Sequence, residues 1–196
     1  MGVGEYLIIF AAILIGLAVA DLSLSLHRLL RQGRSIKWHP IVPATGFIVL
    51  CLVLNLWWQL YAGYSKREEV AFITFLPEVV MLLLLFLLAA AVFPDEKLEK
   101  GASLLDFYLD NRVHFWGLFA AYLICVTANM WLGGWRAGWS IGQYFTFGSA
   151  NLIWISLCLI LAWTRRMVVH WIIVAINLVV IALAWFGEPI SQAAAA

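Results

Sequence analysis

Residues 71–93 read AFITFLPEVVMLLLLFLLAAAVF, a run with a single ionisable side chain, Glu78, and apolar residues on every helical face. As a helix it rises about 35 Å at 1.5 Å per residue, enough to cross a hydrocarbon core of roughly 30 Å. Apolar and polar residues do not alternate with period two, as they would in a barrel strand. A helix also satisfies its backbone polar groups within one segment, which lipid demands. Five further apolar runs surround this one, at residues 6–26, 41–61, 113–132, 144–163 and 168–186. The fold class that follows is all-α: a polytopic membrane protein with a bundle of six transmembrane helices.

Composition says the same. Of the 196 residues, 65% are hydrophobic and 12% charged, and mean hydropathy is +0.96; soluble domains carry about 25% charge. Twelve Lys and Arg against eleven Asp and Glu leave a net charge of +1, which creates no field to steer nucleic acid. Nucleic acid is therefore excluded as a partner, and the lipid bilayer is the expected one. The longest connection, residues 94–112, is too short for a soluble domain. The chain reads as one transmembrane domain of three helical hairpins, at about 6–61, 71–132 and 144–186. Ala18-Val19-Ala20 looks like a signal-peptide cleavage site, but only Glu5 and no Lys or Arg precedes the apolar run. Signal peptides begin with basic residues, so the first run reads as a true span.

Basic residues set the expected orientation. The loop after span one holds Arg28, Arg31, Arg34 and Lys37. The loop after span three holds Lys97, Lys100 and Arg112, and that after span five holds Arg165 and Arg166. The opposite side carries Lys66, Arg67 and Arg136. The odd-numbered loops are thus expected in the cytoplasm and both termini on the outer side, with the plasma (inner) membrane as location. Aromatic residues fit two interfacial belts: Trp57, Trp58, Tyr61, Tyr64, Trp131, Trp135, Trp139, Tyr144, Trp185 and Phe186 outside, and Trp38, Trp116, Trp163 and Trp171 inside. Between spans three and four, Ser103 followed by Asp106 is a capping signature. It predicts a helix starting at Leu104 that runs unbroken into span four.

Small residues recur at i,i+4 as Ala12, Gly16 and Ala20, and as Gly117, Ala121 and Cys125. Such ridges let helices approach closely, within a chain or in a homo-oligomer. Cys51, Cys125 and Cys158 are isolated in apolar runs and read as packing residues.

Ionisable groups inside apolar spans are costly, which makes them the first candidates for function. Two acids qualify. Asp21 lies in the cytoplasmic part of span one, with Ser25 one turn on. Glu78 follows Pro77 near the outer end of span three. If the helix continues upstream of Pro77, the Ile73 carbonyl loses its donor; if the helix starts near Pro77, the acid suits the first turn. The amides Asn55, Gln59, Asn129 and Asn151 share the outer depth of Glu78 on other spans. Facing one another they make a polar pocket; facing neighbours singly they are interhelical glue.

This set predicts a small transporter or channel for an ion, proton or compact polar solute. Glu78 binds or relays the charge, the amides orient it and Asp21 receives it. No phosphate loop, nucleophile elbow or paired-acid constellation occurs, which argues against an enzyme. Two other classes compete with transport. One is a non-catalytic subunit scaffolding a larger membrane complex. The other is a haem- or quinone-binding redox subunit, for which His170 and His114 are the candidate ligands. The histidine spacings match no metal motif, and His27, His39, His114 and His170 read as polar markers of helix ends. No cofactor is expected.

Overall fold

The computed structural model describes residues 2–187, with side chains through Ala184, and is all-helical. Its elements are α1 (Val3–Gln32), a single 3-10 turn (Gly33–Ser35), α2 (Ile41–Tyr64), α3 (Phe72–Ala90), α4 (Leu104–Arg136), α5 (Ile141–Trp163) and α6 (Met167–Gly187). Six of these helices are long and apolar enough to cross a membrane.

The helices alternate in direction. The α1–α2, α3–α4 and α5–α6 connections gather at one end, called here the basic end because Arg28, Arg31, Arg34, Lys37, Lys97, Lys100, Arg165 and Arg166 are exposed there. Backbone bonds knit two of these loops together. Lys37 N–H donates to the Ala102 carbonyl (2.8 Å), Leu104 N–H to Lys37 (3.0 Å) and Gly101 N–H to Ser35 (2.7 Å). Arg165 of the third loop reaches Asp110 of α4 at 3.1 Å. Both atoms are well exposed, so this pair contributes little.

α4 begins at Leu104, with the Ser103 hydroxyl accepting from the Asp106 N–H at 3.3 Å, as the capping signature predicts. It then runs for 33 residues, about 50 Å, because nothing in Asn111-Arg112 interrupts it. At its far end α5 starts on a full capping box between Ser140 and Gln143.

α1 packs on both α2 and α3, α3 on α4, and α4 most extensively on α5. α6 lies along α2 and barely meets α5. Residues 144–186 are therefore a hairpin by connection, while their two helices are buried by different neighbours.

α1 faces the core with Ala11, Ile15, Ala18, Leu22, Ser25 and Leu29, a four-three spacing that follows one helical seam. The row Ala12, Gly16 and Ala20 lies on the exposed side, and a Cβ at Gly16 would meet nothing within 4 Å. α1 comes close to the end of α2 at Gly4 instead. A Cβ there would lie 2.0 Å from the Tyr64 carbonyl oxygen, while Gly4 N–H donates to the Arg67 carbonyl at 3.1 Å. This contact pins the start of α1 to the α2–α3 connection.

Candidate functional site

α3 runs through Pro77 rather than starting there, which resolves the two readings its sequence allows. Pro77 offers no N–H to the Ile73 carbonyl. Glu78, the next residue, then lies about two turns into the helix and turns toward α2 and α4. Its carboxylate accepts a hydrogen bond from the Asn129 amide Nδ2–H of α4 at 3.0 Å. The Tyr64 hydroxyl of α2 and, at longer range, the Arg67 guanidinium lie within electrostatic reach of the same group. Tyr122 and Cys125 of α4 lie near enough to sense its charge. Above Tyr64 sits Arg67, its guanidinium carbon 5.2 Å from the ring centroid.

Three helices thus converge on one half-buried carboxylate that accepts a hydrogen bond from a neutral amide, with the Tyr64 hydroxyl beside it and the Arg67 cation at longer range. The amide stabilises the charge without cancelling it, and Arg67 offsets part of it from a distance.

The remaining amides stand elsewhere. Asn55 and Gln59 lie on the exposed face of α2, where Gln59 Nε2–H donates to Asn55 Oδ1 at 2.7 Å. Val53, Leu56 and Leu60 take the core side of the same helix. Asn151 is half-buried on α5, and no hydrogen bond joins it to Glu78 or Asn129. Of the four predicted amides, the structure brings Asn129 alone to the acid.

Asp21 is placed well apart from Glu78. The Phe10 and Phe75 rings pack edge to face with centroids 6.3 Å apart, which sets the register of the parallel helices α1 and α3. Counting down both chains from that contact, Asp21 lies about 12 Å nearer the basic end than Glu78. It is half-buried, and its Oδ2 is enclosed without a hydrogen-bond partner.

A second polar assembly, at the basic end, has no counterpart in the sequence reading. His170 of α6 is fully buried, with Tyr108 and Trp116 of α4 beside it. The Tyr108 hydroxyl lies 2.7 Å from His170 Nδ1, Trp116 Nε1–H donates to the Tyr108 oxygen at 3.1 Å, and His170 Nε2 lies 3.1 Å from the Thr164 carbonyl. A carbonyl only accepts, so Nε2 carries the proton and Nδ1 accepts from Tyr108. Donation therefore runs one way, from Trp116 through Tyr108 and His170 to Thr164.

Trp116, expected in the inner aromatic belt, is 2% exposed and stacks on Phe119 instead. The belt side chains Trp185 and Phe186 lie outside the described residues.

Haem ligation fits this arrangement poorly. Both ring nitrogens of His170 are already bonded, and His114 is exposed on α4, away from any facing histidine on the core side. Among the described residues no group of three or more His, Cys, Asp or Glu side chains could hold a metal ion. The separation of 62 residues between Tyr108 and His170 explains why sequence reasoning missed the pair. The available signal was weak: a tyrosine, a tryptophan and a histidine at the ends of apolar runs, the same composition as an interfacial belt.

Compared with known proteins, the chain matches no family model, no curated protein and no solved structure.

Proposed function

We propose that the protein is a small integral membrane transporter or channel for an ion, proton or compact polar solute, with Glu78 as the charge-binding group. The observation that carries this reading is the Glu78 corner. A carboxylate embedded among apolar helices is expensive to keep, and here its donor is a neutral amide of α4, with the Tyr64 hydroxyl of α2 beside it and the Arg67 cation at longer range.

In this reading Asn129 and Tyr64 orient the carboxylate, and Arg67 tempers its charge. Asp21 takes the charge deeper in the bundle. Asn55 and Gln59 play no part, since they face away from the core. Asn151 is left as a packing residue of α5.

The bilayer is the solvent for the exposed apolar faces, which include Phe72, Ile73, Phe145, Ile153 and Leu183. By the positive-inside tendency the basic end is cytoplasmic and both termini lie outside. The test is flux of Na+, K+ or H+ into liposomes containing the purified protein. Glu78→Gln keeps an acceptor for Asn129 but removes the charge, and flux is expected to fall about tenfold or more. Undiminished flux in both Glu78→Gln and Asp21→Asn overturns the pathway.

A further inference from the structure

Three enclosed oxygen atoms on α1 have no hydrogen-bond partner: Asp21 Oδ2, Ser25 Oγ and Gln32 Oε1. At 100° per residue they fall within a sector of about 40°, so they form one row along the helix toward the basic end. Buried polar groups left unpaired are rare and costly, and three aligned on one face call for an occupant.

Ser25 is the most telling of the three. It is 3% exposed and takes a place in the α1 seam otherwise filled by alanine, leucine and isoleucine. A buried hydroxyl in a helix ordinarily turns back to a carbonyl of its own preceding turn. Buried Thr45 and Thr127 of this chain do so, and so do exposed Thr146 and Ser156. Ser25 does not, and its hydroxyl is left facing the same side as the Asp21 carboxylate one turn away.

We infer that Asp21 and Ser25 form a binding site for a small monovalent metal cation, with Gln32 as the next oxygen on the way to the basic end. The donor atoms are all oxygen, which suits hard cations and not soft transition metals. The row contains one carboxylate, so it neutralises one positive charge. A divalent ion would keep a net charge in an apolar surrounding, and Ca2+ wants six to eight oxygens with several carboxylates. An anion would meet the carboxylate directly.

The assignment rests on the transport reading only for its role as a pathway element; the site itself is an equilibrium binding property. It is tested without transport, by thermal unfolding of the detergent-purified protein in NaCl or KCl against choline chloride at constant ionic strength. The unfolding midpoint of the unsubstituted chain is expected to rise saturably with Na+ or K+ and not with choline. Asp21→Asn is expected to abolish that rise. Ser25→Ala is expected to weaken the apparent affinity by about tenfold, while Ser25→Thr, which keeps the hydroxyl, retains it. Asn55→Leu, on the exposed face of α2, is expected to keep the cation response.

No difference between the metal cations and choline overturns the site, and so does a response that survives in both Asp21→Asn and Ser25→Ala. If Asp21→Asn fails to fold, the contrast between Ser25→Ala and Ser25→Thr decides. Saturable stabilisation without flux in liposomes removes the transport reading and leaves the site standing; flux without stabilisation does the reverse.

Discussion

Tyr108 is bonded at both ends of its hydroxyl, and this makes it the residue on which the basic end of the bundle depends. Its oxygen accepts from Trp116 and its proton goes to His170 Nδ1, so it joins α4 to α6 inside a packed core. Tyr108→Phe keeps the ring against the imidazole but orphans two buried polar atoms, Trp116 Nε1 and His170 Nδ1. Each such atom costs about 1–3 kcal/mol where water cannot reach it. The variant is expected to lower the thermal unfolding midpoint in detergent clearly, and His170→Phe in the Tyr108→Phe background is expected to recover part of the loss. A Tyr108→Phe midpoint equal to that of the unsubstituted chain would mean that the two atoms find other partners. Residue-scale chemistry of this kind is hard to read from sequence, because a pair separated by 62 positions leaves no local spacing. The Ser103–Asp106 cap was legible for the opposite reason: its partners are three residues apart and obey a rule of helix geometry.

At the scale of elements, the limits of the sequence appear in α2. Its residues are apolar on nearly every side, so no amphipathic stripe announces which face turns inward. Asn55 and Gln59 were expected to face a common pocket, yet their i,i+4 spacing satisfies each other on the exposed side while Val53, Leu56 and Leu60 are buried. The double variant Asn55→Leu/Gln59→Leu therefore removes an amide pair from the outer surface and leaves the Glu78 corner untouched. Unfolding is expected to shift little or upward, and liposome flux to stay at the level of the unsubstituted chain. A collapse of flux in this variant would return both amides to the pathway. α3 makes the complementary point. Pro77 permitted two helix starts, and packing chose between them by placing Phe75 against both Phe10 and Tyr64, which holds the turn before Pro77 in helical form. Span existence was legible because it depends on composition summed over twenty or so residues; the rotation of each span was not, because it depends on neighbours far along the chain.

For the whole molecule, the asymmetry of charge is the property with the widest consequence. Two of the loops at the basic end are stitched by backbone bonds between residues 35–37 and 101–104, so their cations are displayed on one joined surface and not as separate tails. A fixed array of cations suits the anionic inner leaflet, where each Lys or Arg near the surface contributes roughly 1 kcal/mol. The opposite end displays Lys66, Arg67 and Arg136 with Glu5, Glu68 and Glu69, three of each sign, whereas the eight cations of the basic end outnumber its five exposed acids, Asp95, Glu96, Glu99, Asp106 and Asp110. The proposed sidedness rests on that contrast and can be measured with single cysteines at exposed positions, Glu99→Cys at the basic end and Glu69→Cys at the other. Cys51 and Cys158 are buried and Cys125 half-buried, so the unsubstituted chain gives a low background for a membrane-impermeant maleimide. In intact cells expressing the protein Glu69→Cys is expected to label and Glu99→Cys to label only after the membrane is permeabilised. The reverse pattern would put the basic face outside, and Glu78 would then open toward the cytoplasm.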